Sequence, residues 1–165
     1  MADLFINPDR ILEIARSWIG TPYRHQHSLK GVGADCLGLL RGVWKELYGV
    51  EAEVPPPYTR DWAELRSGTG GEPMLEAAER NLHRIELAEV SPGDVVLIRV
   101  RPTALIKHCG IISETAPIKN IRDCPVHRLI HAYSLHAVTE DYMHSNWLDK
   151  EMHFFRFKEI SEVVR

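Results

Sequence analysis

The chain has 165 residues, 44% of them apolar and 26% charged, and a formal charge of −3. That length fits a single domain, residues 1–165, able to bury roughly 70% of its unfolded surface. The slight acidity, with basic residues scattered, excludes the basic face that a nucleic-acid binder needs.

Cys36, Cys109 and Cys124 make an odd set without regular spacing, a poor disulfide framework, and point to synthesis in a reducing compartment. No apolar run approaches the ~20 residues of a membrane span. The N-terminus MADLFINPDR lacks the basic and apolar regions of a signal peptide. A protein made in the cytoplasm without an export signal is expected.

The first helix opens at Asn7-Pro8, because Asn7 can cap and proline at the first helical position loses no needed N–H. Ile11, Ile14, Ala15, Trp18 and Ile19 recur at helical spacing, Gly20 ends the pattern and Pro22 prevents its return. The polar, glycine-rich loop TPYRHQHSLKGVGA follows. A second helix begins at Cys36 behind Asp35, a residue type preferred as a helix cap. Its apolar stripe runs through Leu39, Leu40, Val43, Trp44 and Leu47 to a stop at Gly49. Gly38 and Gly42, one turn apart, allow close packing on one face.

Residues 51–72, with Pro55 to Pro57 and the segment SGTGG, read as an ordered surface excursion. A short amphipathic helix is predicted over Pro73 to Leu82. After the turn signal Ser91-Pro92-Gly93, the segments 94–100, 108–113, 128–133, 136–140 and 152–157 are rich in β-branched and aromatic residues and read as strands. Helices first and strands after predict an α+β domain, with N-terminal helices packed on a central antiparallel sheet.

Cys36 is the first candidate for chemistry. A thiol in the first helical turn feels the positive end of the macrodipole, which can bring its pKa from ~8.5 into the range of about 3.5–7.5. The competing reading is a small buried hydrophobe. His108 and His131 supply a possible base and orienting group, provided their strands are neighbours and their faces meet the Cys36 helix. Each histidine alone is equally well read as a satisfied core residue or a surface residue. Tyr23, in the loop between the helices, is either an aromatic plug or a phenol donor to an oxyanion. A zinc set of Cys36, Cys109, Cys124 and His127 lacks the short local spacings of structural zinc sites, and Cys109 should point away from His108.

Together these segments resemble the NlpC-type cell-wall peptidases, a papain-like cysteine hydrolase superfamily. The matching stretches are WIGTPYRH (18–25), GADCLGLL (33–40), SPGDVVLI (91–98), KHCGII (107–112) and LIHAY (129–133). The proline-rich segment, HAVTE and the aromatic FFRF further resemble the branch carried on bacteriophage and gene-transfer-agent tails. The resemblance implies Cys36 as nucleophile, His108 as general base and His131 as the orienting third residue. It implies Tyr23 as a substrate or oxyanion contact and Asp35 as a contact for the peptide's amino end. No cofactor or metal is implied.

The implied substrate is the stem peptide of peptidoglycan, and the implied partners are other tail or baseplate proteins. Two alternatives of the same fold are a non-catalytic structural tail protein and an intracellular murein amidase or acyltransferase. Leu37 departs from the small residue the family often carries after the cysteine. The long interval around TAPIKNIRDCPVHR leaves Asp123, His127 and His136 as other residues that could stand third.

Overall fold

The computed structural model describes residues 6–57, 71–133 and 135–164. Helix α1 covers Pro8–Ser17, with the Asn7 side chain accepting the Asp9 N–H at 2.9 Å as a cap. A two-stranded hairpin of β1 (Ser28–Leu29) and β2 (Gly33–Ala34) leads into α2, Cys36–Tyr48. Helix α3 spans Pro73–Asn81, and the chain then enters strands β3 (His83–Ile85), β4 (Val95–Arg99), β5 (His108–Thr115), β6 (Val126–Ala132), β7 (Val138–Tyr142) and β8 (Glu151–Arg156). A single turn, α4 (Ile160–Val163), follows. The expectation for residues 51–72 falls largely on 58–70, outside the described residues.

Strands β3 to β8 form one sheet in the order β3-β8-β4-β5-β6-β7, with every pairing antiparallel. The α+β architecture read from the sequence is the one found. The sequence did not reveal β3 or the hairpin, whose strands are too short to show alternation.

Alternation along the strands divides the core into two clusters. Val95, Leu97, Cys109, Ile111, Ile130, Ala132 and Phe155 pack with residues of α1 and α2, including Ile11, Ala15, Leu39 and Val43. Val96, Ile98, Ile112, Leu129 and Phe154 pack on the other side with Met143 and Trp147. The first cluster fixes α2 against the sheet.

The two glycines of α2 have the packing role their spacing predicts. A Cβ on Gly42 would lie 2.1 Å from the Trp18 ring, so α1 and α2 approach through this position. A Cβ on Gly38 would lie 1.8 Å from the carbonyl oxygen of His27, so the loop before α2 lies directly on its first turn. Gly49 ends the helix at φ 75°, a left-handed conformation that glycine adopts without steric cost.

Candidate active site

Asp35 organises the start of α2. One carboxylate oxygen accepts the Gly38 N–H at 2.7 Å, capping the helix. The other accepts the Gln26 N–H at 2.8 Å and lies 3.8 Å from His25 Nδ1. Gln26 sits at φ 62°, a strained value for a residue with a Cβ, and the bond to Asp35 helps to hold it there. With 3% exposure, Asp35 ties the 24–29 loop to the helix that carries Cys36.

Cys36 occupies the first position of α2, where backbone N–H groups have no acceptor within the helix. It is half-buried, and its sulfur lies 3.3 Å from the carbonyl oxygen of Lys107, just before β5. The helix terminus therefore lies beside the beginning of β5, where His108 and Cys109 follow. The thiol is drawn down to about 5, first by a hydrogen bond from the Cys109 thiol and then, against the opposing effect of burial, by the His108 imidazole. Asp35 acts the other way, as a nearby negative charge must. Cys109 is correspondingly pushed well above an ordinary thiol by Cys36 and by burial.

His108 and His131 meet through their rings. Strands β5 and β6 pair with Ile111 opposite Ile130, which sets the two histidines diagonally across the ladder. His108 Nε2 is 2.9 Å from His131 Nδ1. Both side chains are buried, and Trp147 lies against them with ring centres 4.8 Å and 5.8 Å away.

His131 is driven down to about 3, mainly by burial and then by repulsion from His108, with Asp141 opposing. It is therefore neutral at ordinary pH. Its Nε2 faces the Asp141 carboxylate at 3.9 Å, which favours a proton on that nitrogen. Nδ1 is then left to accept from His108 Nε2–H, and the remaining His108 nitrogen is free to serve Cys36.

One geometric expectation needs correcting. His108 and His131 occupy the sheet face of Ile98, Ile112 and Leu129, not the face covered by α2. Cys36 meets His108 around the start of the strand, because the helix terminus lies beside the backbone of Lys107. The residue facing α2 directly is Cys109, which points away from His108 as alternation requires.

The other sequence candidates fall elsewhere. Asp123 accepts the N–H groups of Lys119 and Asn120 within its own loop. His127 lies 3.8 Å from Glu114 and beside Tyr142, and His136 stacks on Tyr133. Cys124 lies near Met152, with the sulfurs 3.8 Å apart. Tyr23 is half-buried at the edge of the α1–α2 cluster, and its N–H donates to the carbonyl of His136 at 3.1 Å.

Sequence reasoning missed Trp147, Asp141 and the contact of Cys109 with Cys36. Alternation from His108 already sends Cys109 to the helix side, so that signal was available. Trp147, in a short 3-10 turn over Ser145–Trp147, carries no periodic signal.

No protein-family model matches the chain, and no curated protein matches it significantly. Solved structures do. The NlpC/p60 domain of the peptidoglycan hydrolase SagA aligns at a TM-score of 0.53 and 19% identity, over 90% of this chain and 97% of that one. A lipoprotein-like NLP/P60 protein of Staphylococcus aureus aligns at 0.56 and 17%, over 94% of this chain and 43% of that one. An NlpC/P60 family protein of Bacillus cereus aligns at 0.57 and 13%, over 93% and 41%. The chain thus spans less than half the length of the last two proteins. Taken with the α2–β5–β6 arrangement, these alignments show that the chain has the fold of the NlpC/p60 domains.

Proposed function

We propose that this chain is a cysteine peptidase that hydrolyses amide bonds in the stem peptides of peptidoglycan. The observation that carries the reading is the placement of the Cys36 thiol at a helix N-terminus beside His108, itself 2.9 Å from His131. The fold shared with a peptidoglycan hydrolase domain supports the substrate class.

In this scheme the Cys36 thiolate attacks the amide carbonyl. The oxyanion is held by the Cys36 backbone N–H, whose place in the first turn leaves it without a helical acceptor, and by the Tyr23 hydroxyl. His108 gives its proton to the leaving amine, and water activated by His108 then hydrolyses the thioester. His131, kept neutral by burial, fixes the His108 ring without competing for the proton. Asp35 holds the loop and helix that present Cys36, and the amino end of the peptide is assigned to its neighbourhood.

The proposed setting is a phage-like or gene-transfer-agent tail. There a wall hydrolase made in the cytoplasm would meet its substrate on a recipient cell, docked on other tail or baseplate proteins. The resemblance of the proline-rich segment, HAVTE and FFRF to tail-borne members supports this setting.

Digestion of purified peptidoglycan and muropeptides, followed by mass spectrometry, tests the reading. Wild type should release new stem-peptide fragments and Cys36→Ala none. Fragments unchanged by Cys36→Ala would remove the mechanism. Their absence from a folded wild type would leave a structural tail protein or an amidase or acyltransferase of other specificity.

A further inference from the structure

Cys109 adjoins the proposed base, and the hydrolytic scheme does not use it. Alternation places its side chain on the helix-covered face, while His108 takes the other. It is fully buried, and Cys36 packs against the same cluster. The Cys36 sulfur lies 3.3 Å from the carbonyl oxygen of the residue that precedes β5. Cys109, two residues further on and facing α2, is thereby brought to the side of Cys36, and both thiols are free.

We infer that Cys36 and Cys109 form a reversible peroxide-sensitive pair, in which Cys109 resolves a Cys36 sulfenic acid into an intramolecular disulfide. The inference rests on Cys36 being the reactive thiol of the proposed enzyme. Accessibility sets the order of events. Cys36 is half-buried, whereas Cys109 is 0% exposed, so a small oxidant reaches Cys36 first. Reactive cysteines of this kind are low in pKa, accessible and poised next to a resolving thiol.

The steps balance with hydrogen peroxide as the two-electron oxidant. The Cys36 thiolate attacks one peroxide oxygen, an S–O bond forms, the O–O bond breaks, and hydroxide leaves, becoming water with the proton that the Cys36 thiol released to the buffer on ionising. The Cys109 sulfur then attacks the Cys36 sulfur, and the S–O bond breaks. The departing hydroxide takes the Cys109 proton and leaves as water. Cys109 is held protonated until that moment by burial and by Cys36 itself. The disulfide masks the nucleophile and halts oxidation before the irreversible sulfinic stage. Cys124 is no rival, since its neighbours are the carbonyl of Val126 and the sulfur of Met152 in the other cluster.

The test is non-reducing peptide mapping of the reduced full chain after treatment with a molar excess of hydrogen peroxide, which supplies the two equivalents that a sulfinic acid requires. Wild type and Cys124→Ser should each lose two hydrogens and yield a linked pair of peptides carrying Cys36 and Cys109, separated by dithiothreitol. Cys109→Ala, and Cys109→Val should the smaller residue impair folding, should instead add two oxygens at Cys36 that dithiothreitol does not remove. Wild type that adds oxygen at Cys36 without a linked pair would overturn the inference, as would a link to Cys124. Mass is the readout, so a failure to cleave peptidoglycan would not be mistaken for a failure of this pair.

Discussion

Lowering the pKa of a thiol has two opposed effects on its reactivity, and their balance gives the Cys36 site a pH signature. In the folded chain Cys36 falls from 9.0 to about 5, through Cys109 first and His108 second. More of it is thiolate, yet each thiolate is a weaker nucleophile, with a Brønsted coefficient of about 0.4–0.5. Toward a disulfide reagent the weaker basicity costs roughly 60-fold in intrinsic rate. At about pH 5.5 such a thiol is about three-quarters ionised, whereas an unperturbed one is ionised to roughly three parts in ten thousand. The net expectation is a reaction roughly 40-fold faster in the folded chain than in the same chain unfolded. At about pH 7.5 the ionisation advantage shrinks to roughly 30-fold, the intrinsic loss outweighs it, and the order reverses.

Stopped-flow reaction with a dipyridyl disulfide measures this directly in Cys124→Ser, where the buried Cys109 leaves Cys36 as the accessible thiol. His108→Ala should move the midpoint upward, since the imidazole is the second group that lowers it. A folded chain that reacts no faster than the unfolded one at acid pH would refute the activated thiolate.

His131 should make stability depend on pH in a window set by its own titration. Its pKa is about 3 folded against 6.5 unfolded, so the unfolded chain binds the extra proton between those values. Its contribution to stability is therefore complete above 6.5 and is lost as pH falls toward 3, with a slope approaching ~1.4 kcal/mol per pH unit. Urea titrations of wild type and His131→Asn should show that slope only in wild type.

Gly42→Ala should cost about 1–3 kcal/mol by forcing a Cβ into the Trp18 ring, with Cys36 labelling unchanged. Gly38→Ala should also alter the labelling rate, because its clash is with the His27 backbone in the loop on α2.

Glu72→Gln should slow turnover more than it lowers thermal stability. Glu72 accepts the Ile106 N–H at 3.0 Å and pairs with Arg99 at 2.6 Å, bracing the loop that delivers Lys107 and His108. Equal activity of the variant would show that the loop needs no such brace.

Much of the site was legible because its parts rely on local rules. An aspartate before an apolar helical stripe is a cap in any fold, and the Asp35–Gly38 bond is that rule at work. A glycine pair one turn apart signals close approach, and Trp18 and His27 supply the partners. The partner of His108 was given by the resemblance and not by any local rule, because four candidates follow β5 and only register separates them. Ile111 opposite Ile130 brings His131 within reach of His108, while Asp123 is occupied within its own turn. Strand β3 was hidden for a related reason. Its three residues pair with β8 at the far end of the chain, a contact without local sequence pattern.

The two-residue step His108-Cys109 explains why this helix terminus can be chemically rich without a carboxylate at its centre. A strand shows alternate residues to opposite faces, so neighbours in sequence ordinarily serve different surroundings. At the start of β5 that separation breaks down, because the sulfur of Cys36 lies against the backbone at Lys107. One thiol is then addressed from both faces, by an imidazole from one and a second thiol from the other. The imidazole provides a proton acceptor that His131 holds in orientation. The second thiol stabilises negative charge without taking the proton, since its own ionisation is pushed upward by the same contact. Asp35 must then stay close enough to cap the helix while working against the thiolate, and its place behind Cys36 is a compromise between these two effects. An Asp35→Asn chain keeps a competent cap and loses the opposing charge, so its Cys36 midpoint should fall below that of wild type. A midpoint that rises instead would show that the carboxylate acts on Cys36 through the loop it anchors and not through its charge.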